Sequence, residues 1–318
     1  MNNPDTLAID VEAERAWLNA YKADTRLSWS EIGPKMGIPG GTLSPFALNS
    51  YNGDNERIAR AVFSYRQLLT SQAELAIAMP DRPNYFETPT SRRVTTMLQV
   101  AHRGRITVIA TAPGLGKTEA VKNYQASVPQ VWRATMKPST GGIMTMQVKI
   151  LASMGEPDAK GTPLALTTRI ERLVRGTGGL LVIDEAQNLG EKALEEVRGW
   201  HDETGIGVAL VGNEDVLLRL ELGSKKDAFA RLASRVANRF IARGPMEGDA
   251  AALADAWRVD AADQRGFLAD VAKRPGALRT CTMVMETAHM LAAAENDALK
   301  LAHLQDAWSH LSTRQLAA

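Results

Sequence analysis

The chain has 318 residues, 45% of them hydrophobic, with 37 basic side chains against 36 acidic ones. That length and apolar content suit an ordinary soluble globular protein with a sizeable core, large enough for two or three modest domains. The net charge of +1 decides nothing about a polyanionic partner, but residues 96–244 carry 20 basic and 15 acidic groups, a net of +5, between slightly acidic flanks. Any attraction for phosphate is therefore expected in the middle of the chain. Cys281 is the only cysteine, so no intrachain disulfide can form and a reducing compartment, the cytoplasm, is expected. The first residues, MNNPDTLAID, show no basic stretch followed by an apolar one, and no run approaches 18 apolar residues. Neither secretion nor membrane spanning is expected.

Residues 1–75 read as a small helical bundle, with apolar positions at Ala16, Leu18, Tyr21, Ile32, Met36, Leu43, Phe46, Ile58, Val62 and Tyr65 broken by Gly and Asn. Within it, residues 29–48 fit a helix-turn-helix. Gly37 permits the tight turn, Gly33 allows the helices to cross closely, and Ile38, Leu43 and Phe46 face the first helix. Thr42, Ser44 and Asn49 are then candidates to meet base edges or phosphates. Pro45 opposes a continuous second helix and the acidic balance opposes strong nonspecific affinity, so a protein-interaction bundle of the same shape is the alternative. Residues 76–95 form a linker, because MPDRPNYFETPT (79–90) holds three prolines and no periodicity.

Beyond the linker, short β-rich runs alternate with helical ones: RITVIAT (105–111), VWRATM (131–136), LLVID (180–184), VALVG (208–212) and RFIAR (239–243). This alternation predicts an α/β core over residues 96–244 with a parallel sheet covered on both faces. Residues 245–318 are rich in Ala and Leu without a strand candidate, so a helical C-terminal domain follows.

The first strand runs into Thr111-Ala112-Pro113-Gly114-Leu115-Gly116-Lys117-Thr118, and a helical segment comes next. In such a loop, here Pro113 to Thr118, the glycines let backbone N–H groups converge on phosphate oxygens, aided by the positive helix end. Lys117 would neutralise β/γ-phosphate charge and the Thr118 hydroxyl would bind Mg²⁺. The pattern GxxxxGK[ST] wants glycine where Thr111 stands, so the turn into the loop is shaped differently. The third strand ends in Asp184-Glu185, which reads as a magnesium ligand followed by the residue that orients and deprotonates the attacking water. A buried strand capped by a solvated acidic pair is the plain alternative. Asn213, at the end of the fourth strand, is placed to bond the γ-phosphate or the water, or simply to make a turn.

In this order the residues resemble AAA+ ATPases, with Walker A at 114–118, Walker B at 180–185 and sensor 1 at Asn213. The resemblance implies ATP and Mg²⁺ as cofactors. It makes the run RLASR (231–235) an arginine-finger segment acting on a neighbouring subunit's ATP, Arg235 first and Arg231 second. A solvated helix with Arg231, Arg235 and Arg239 four apart is the alternative. GALR (276–279) is similar to sensor 2, which puts Arg279 on the nucleotide.

Within AAA+ proteins the layout resembles the family of the phage Mu B transposition protein. The resemblance rests on the helix-turn-helix, the segment YNGDNER (51–57) directly after it, DEAQNL (184–189) and the helical C-terminus. It implies an ATPase stimulated by double-stranded DNA of little sequence preference, assembling as a ring or helical filament and delivering target DNA to a transposase that it activates, in a bacterial host's cytoplasm. Lys149, Lys160, Arg169, Arg172 and Arg175, between the second and third strands, would face DNA in such an assembly. Two other functions fit the same motifs: a transcriptional regulator with a nucleotide switch, and a motor or loader ATPase.

Overall fold

The computed structural model describes residues 9–78, 83–216 and 227–315, which divide into compact units at Pro80. The first unit contains four helices: α1 (Val11–Thr25), α2 (Trp29–Met36), α3 (Gly40–Ala47) and α4 (Asn55–Ala78). Asp10 caps α1 through Glu12 and Ala13 N–H groups, and Gly37, at φ +68°, closes α2 in the left-handed conformation that only glycine adopts cheaply. Gly33 lets α2 approach the turn closely, since a Cβ there would lie 2.3 Å from the Ile38 carbonyl oxygen. Pro45 is accommodated inside α3, whose last carbonyls are taken by α1: Arg15 Nε donates to Phe46 O at 2.7 Å and Asn19 Nδ2 to Ala47 O at 3.0 Å. The YNGDNER run is a helix start. Asp54 accepts from Arg57 N–H at 2.9 Å and Asn55 Nδ2 donates back to Tyr51 O at 3.1 Å.

The second unit opens with α5 (Pro89–His102), so residues 89–95 are helix where a linker was expected, and at its other end the expected linker overlaps α4, which reaches Ala78. The reason is a cap that the proline-rich reading missed. Thr88 and Ser91 bond reciprocally across the first turn, and Pro89 occupies the position where a missing N–H costs nothing.

There follow β1 (Ile106–Thr111), α6 (Lys117–Ser127), β2 (Val131–Thr135), α7 (Ile143–Ser153), α8 (Pro163–Val174), β3 (Leu180–Asp184), α9 (Glu191–Thr204), β4 (Gly207–Gly212), α10 (Asp227–Arg235) and β5 (Val236–Ala242). The five strands form one parallel sheet in the order β2-β3-β4-β1-β5. β1, β3 and β4 are buried along their whole length, as unbroken apolar runs require in a sheet covered on both faces. Ile106, Val108 and Ala110 pack with Met146, Ile150, Leu166, Ile170, Val197 and Trp200 on one face. Ile109 packs with Val94, Leu98, Leu115, Val121 and Tyr124 on the other. β5 begins three residues before the expected strand and takes an irregular register against the start of β1.

After β5 the chain is helical: α11 (Asp249–Ala256), α12 (Ala262–Ala272), α13 (Ala277–Ala294) and α14 (Leu301–Gln315). These helices share a separate core around Leu253, Leu268, Cys281, Val284 and Leu304, against which Phe86 from the segment before α5 also packs.

Candidate nucleotide site

The site lies at the carboxyl end of β1, where a parallel sheet places its ligands. β1 runs through Thr111, and Ala112 N–H still pairs with Ala242 O at 2.8 Å, so the strand continues through the position where the usual motif has glycine. The loop then turns on Gly114 (φ +85°) and Gly116 (φ +80°), and α6 begins at Lys117 with its N–H groups unspent. Gly114 is also needed sterically: a Cβ there would meet the Gly276 carbonyl oxygen at 1.8 Å. From the start of α13, Arg279 N–H donates to Gly114 O at 3.2 Å. The helical C-terminal segment is thus packed directly on the phosphate loop.

Together they enclose a cavity of about 570 Å³ lined by Gly114 to Glu119, Lys122, Glu185, Leu253, Trp257, Leu278, Arg279 and Thr282, with residues 83–86, Thr88 and Ser91 as a further wall. Lys117, Lys122 and Arg279 supply its cations. Pro113 is exposed and lies outside the lining.

Thr118 Oγ1 donates to Asp184 Oδ2 at 3.3 Å, joining the loop to the end of β3 across β4. Asp184 is 1% exposed. Burial pushes its carboxyl above the usual carboxylate range and the Glu185 charge adds to this, while Arg133, 3.4 Å away on β2, and Lys117 pull back. A hydroxyl and a carboxylate of this kind are hard oxygen donors, and a nucleotide's phosphates would complete the shell, which is how Mg²⁺ is commonly held. The residues present fit ATP with magnesium.

Glu185 lines the cavity in the left-handed conformation (φ 56°, ψ 41°), which turns its side chain out of the strand direction. Its carboxylate accepts from Gln187 Nε2. Asn213 does not line the cavity. Its Nδ2 donates to Asp215 Oδ2 at 3.0 Å and its Oδ1 accepts from Asp215 N–H at 3.1 Å, because a local side-chain turn satisfies both ends of the amide. In this conformation the Asn213 amide, expected as sensor 1, is engaged locally, on Asp215.

Arg231 and Arg235, on α10, are likewise outside the cavity and pair with α9: Arg231 with Glu195 at 3.3 Å and Arg235 with Asp202 at 3.2 Å. Of the expected DNA-facing cations, Lys149, Lys160, Arg172 and Arg175 are exposed. Arg169 is half-buried and bridged to Glu156, so its charge is already neutralised. In the first unit Thr42 and Ser44 are half-buried, and Asn49 lies beyond α3 at φ 56°.

Sequence reasoning missed the wall at residues 83–88, Trp257, Arg133 and Gln187. Asn84-Tyr85-Phe86 is a polar-aromatic run, a signal masked by the surrounding prolines. Gln187 sat in plain view within DEAQNL.

A phosphate loop on β1, an acidic pair on β3 two strands away and a helical segment packed over the loop define a P-loop ATPase of the AAA+ type. Residues 100–220 match the family described as "AAA domain", and residues 234–311 match "Mu B transposition protein, C terminal". The chain is 32% identical over 304 residues to the ATP-dependent target DNA activator B of Escherichia phage Mu, covering 95% of this chain and 96% of that one. It is 30% identical to the Mu-like prophage FluMu DNA transposition protein B of Haemophilus influenzae, over 83% of this chain and 92% of that one. The chain belongs to the Mu B transposition protein family. Among solved structures, domain III of the Thermotoga maritima replication initiation protein DnaA has a TM-score of 0.48 at 17% identity, over 73% of this chain and 97% of that one.

Proposed function

We propose that this protein is a DNA-stimulated ATPase that assembles on target DNA in an ATP-dependent manner and delivers that DNA to a transposase, which it activates. The observation that carries the reading is the cavity in which Lys117, Thr118, Glu185 and Arg279 converge, in a chain alignable over nearly its full length with an ATP-dependent target DNA activator. Gly114 to Thr118 cradle the phosphates, and Thr118 with Asp184 would hold magnesium, which would neutralise phosphate charge. Glu185 takes the proton of the water that attacks the γ-phosphorus in line and displaces ADP. Arg279 reads the nucleotide from α13.

Arg235, seconded by Arg231, completes the site of a neighbouring subunit in a ring or helical filament. Both guanidinium groups are exposed to solvent while paired with carboxylates on α9, which leaves them open to exchange for a neighbour's triphosphate. The α2–α3 pair of the first unit is a helix-turn-helix that contacts DNA through Thr42, Ser44 and Asn49. Lys149, Lys160, Arg172 and Arg175 follow the DNA backbone from the second unit, giving binding of little sequence preference. Asn213 becomes a sensor only if nucleotide draws it from Asp215. The C-terminal helices act as the lid, and the host cytoplasm is the site of action. Among the described residues no helix is long and apolar enough to cross a membrane.

The test is electron microscopy and release kinetics on random-sequence duplex DNA with ATP, ADP and no nucleotide. Filaments should form with ATP alone, and Glu185→Gln should trap them. Equally rapid release of variant and wild type would sink the mechanism, and a footprint confined to one operator without turnover would favour a transcriptional regulator.

A further inference from the structure

We propose that Gln187 is a positioning residue for ATP hydrolysis, holding the Glu185 carboxylate toward the cavity by tying it to the end of β4. The inference rests on the reading of Glu185 as the base. Glu185 leaves β3 in a left-handed turn, a conformation that a non-glycine residue adopts at some cost and that must be held by its surroundings. A single 3₁₀ turn, Ala186–Asn188, follows at once. It brings the Gln187 side chain back between two partners. Nε2 donates to Glu185 Oε2, while Oε1 accepts from Asn213 N–H at 3.4 Å.

The orientation of the amide follows from chemistry, since a carboxylate only accepts and a backbone N–H only donates. Gln is suited to this bridge because it carries a donor and an acceptor on one neutral group. Glu would set a second carboxylate against Glu185, and Met would fill the space with neither function. The far end of the bridge also depends on Gly212. A Cβ there would stand 2.3 Å from Gln187 Oε1 and 2.6 Å from Val216 Cγ2. A glycine at the last position of β4 and a glutamine three residues after the metal-binding aspartate are therefore parts of one device. With the Asn213 side chain engaged by Asp215, the link between β4 and the base runs through the Asn213 backbone and Gln187.

The test measures steady-state ATP hydrolysis by the full chain on duplex DNA, with binding of a fluorescent ATP analogue and unfolding temperature followed alongside. Gln187→Met should lower kcat about 10- to 100-fold, the effect of a misplaced catalytic group, while KM and analogue affinity change less than about twofold. Gly212→Ala, which displaces the amide without removing it, should show the same split and decides the matter if Gln187→Met does not fold. In a Glu185→Gln background, where kcat has already collapsed, adding Gln187→Met should lower it no further, because Gln187 acts through Glu185. A further loss there, or wild-type kcat in Gln187→Met or in a folded Gly212→Ala variant while Glu185→Gln is inactive, would overturn the role of Gln187 alone. Wild-type turnover in Glu185→Gln would remove the base and this proposal with it.

Discussion

Asp249 offers a quantitative test of how the cavity wall is held. It is the first residue of α11, fully buried, and its carboxylate takes three donors: Thr90 N–H at 2.8 Å, the Thr90 hydroxyl, and Met246 N–H at 2.7 Å. Thr90 lies between Thr88 and Ser91, both of which face the cavity. Asp249→Ala would strand two buried donors on Thr90 at about 1–3 kcal/mol each, with less for the Met246 amide, which water can reach in part. The total is about 3–5 kcal/mol. For a unit of this size, about 2–4 °C of melting temperature accompanies each kcal/mol, so the transition of the unit spanning residues 81–318 should fall by about 10 °C. Thr90→Val removes only the hydroxyl and should cost about 1–2 kcal/mol. Because the two residues share one network, the double variant should be less destabilised than the sum of the singles. Scanning calorimetry with nucleotide titration is the assay. A fall below about 3 °C in Asp249→Ala, or strict additivity, would refute the view that this carboxylate latches the wall to the helical C-terminal segment.

Lys117→Ala should weaken ATP binding about 100-fold by removing a charge-assisted contact to the phosphates, and equilibrium binding that stays within threefold of wild type would place the phosphates elsewhere. Arg235→Ala should leave ATP binding by the isolated chain intact and lower turnover of DNA-bound assemblies about 1,000-fold. Mixing it with Lys117→Ala should restore activity at interfaces that pair a bound nucleotide with an intact finger, and a mixture no more active than its parts would refute the finger in trans. Burial lowers the pKa of His289, which stacks on Trp257 with ring centroids 5.8 Å apart and whose Nε2 has no hydrogen-bond partner. The unfolded chain takes up a proton near pH 6.5 that the folded imidazole resists, so this contribution is intact above about pH 6.5 and is lost as pH falls below it. His289→Phe should flatten the decline in melting temperature between pH 7 and 5.5. His102, lowered in the same direction by burial, leaves a residual slope, and an unchanged slope in the variant would exclude His289 as its source.

The sequence by itself determined the chemistry carried along the chain: the glycines and Lys117-Thr118 after β1, the acidic pair after β3, the alternation of strands with helices, and the family. These signals are local, since each depends on neighbours within a few residues whose conformations the glycines, caps and apolar runs dictate. Only the tertiary structure decided which polar groups meet. Residues 83–88 wall the cavity because Thr88 and Ser91 start α5 and Asp249, 159 residues from Thr90, holds it. Asn213, well placed in order along the chain, bonds Asp215 because a nearby partner forms at smaller entropic cost than a distant one. Arg133 reaches Asp184 only because β2 pairs with β3, and Gln187 reaches Asn213 only because β3 pairs with β4. Strand order, which no local signal encodes, is what brings the phosphate loop after β1 and the acidic pair after β3 into one site.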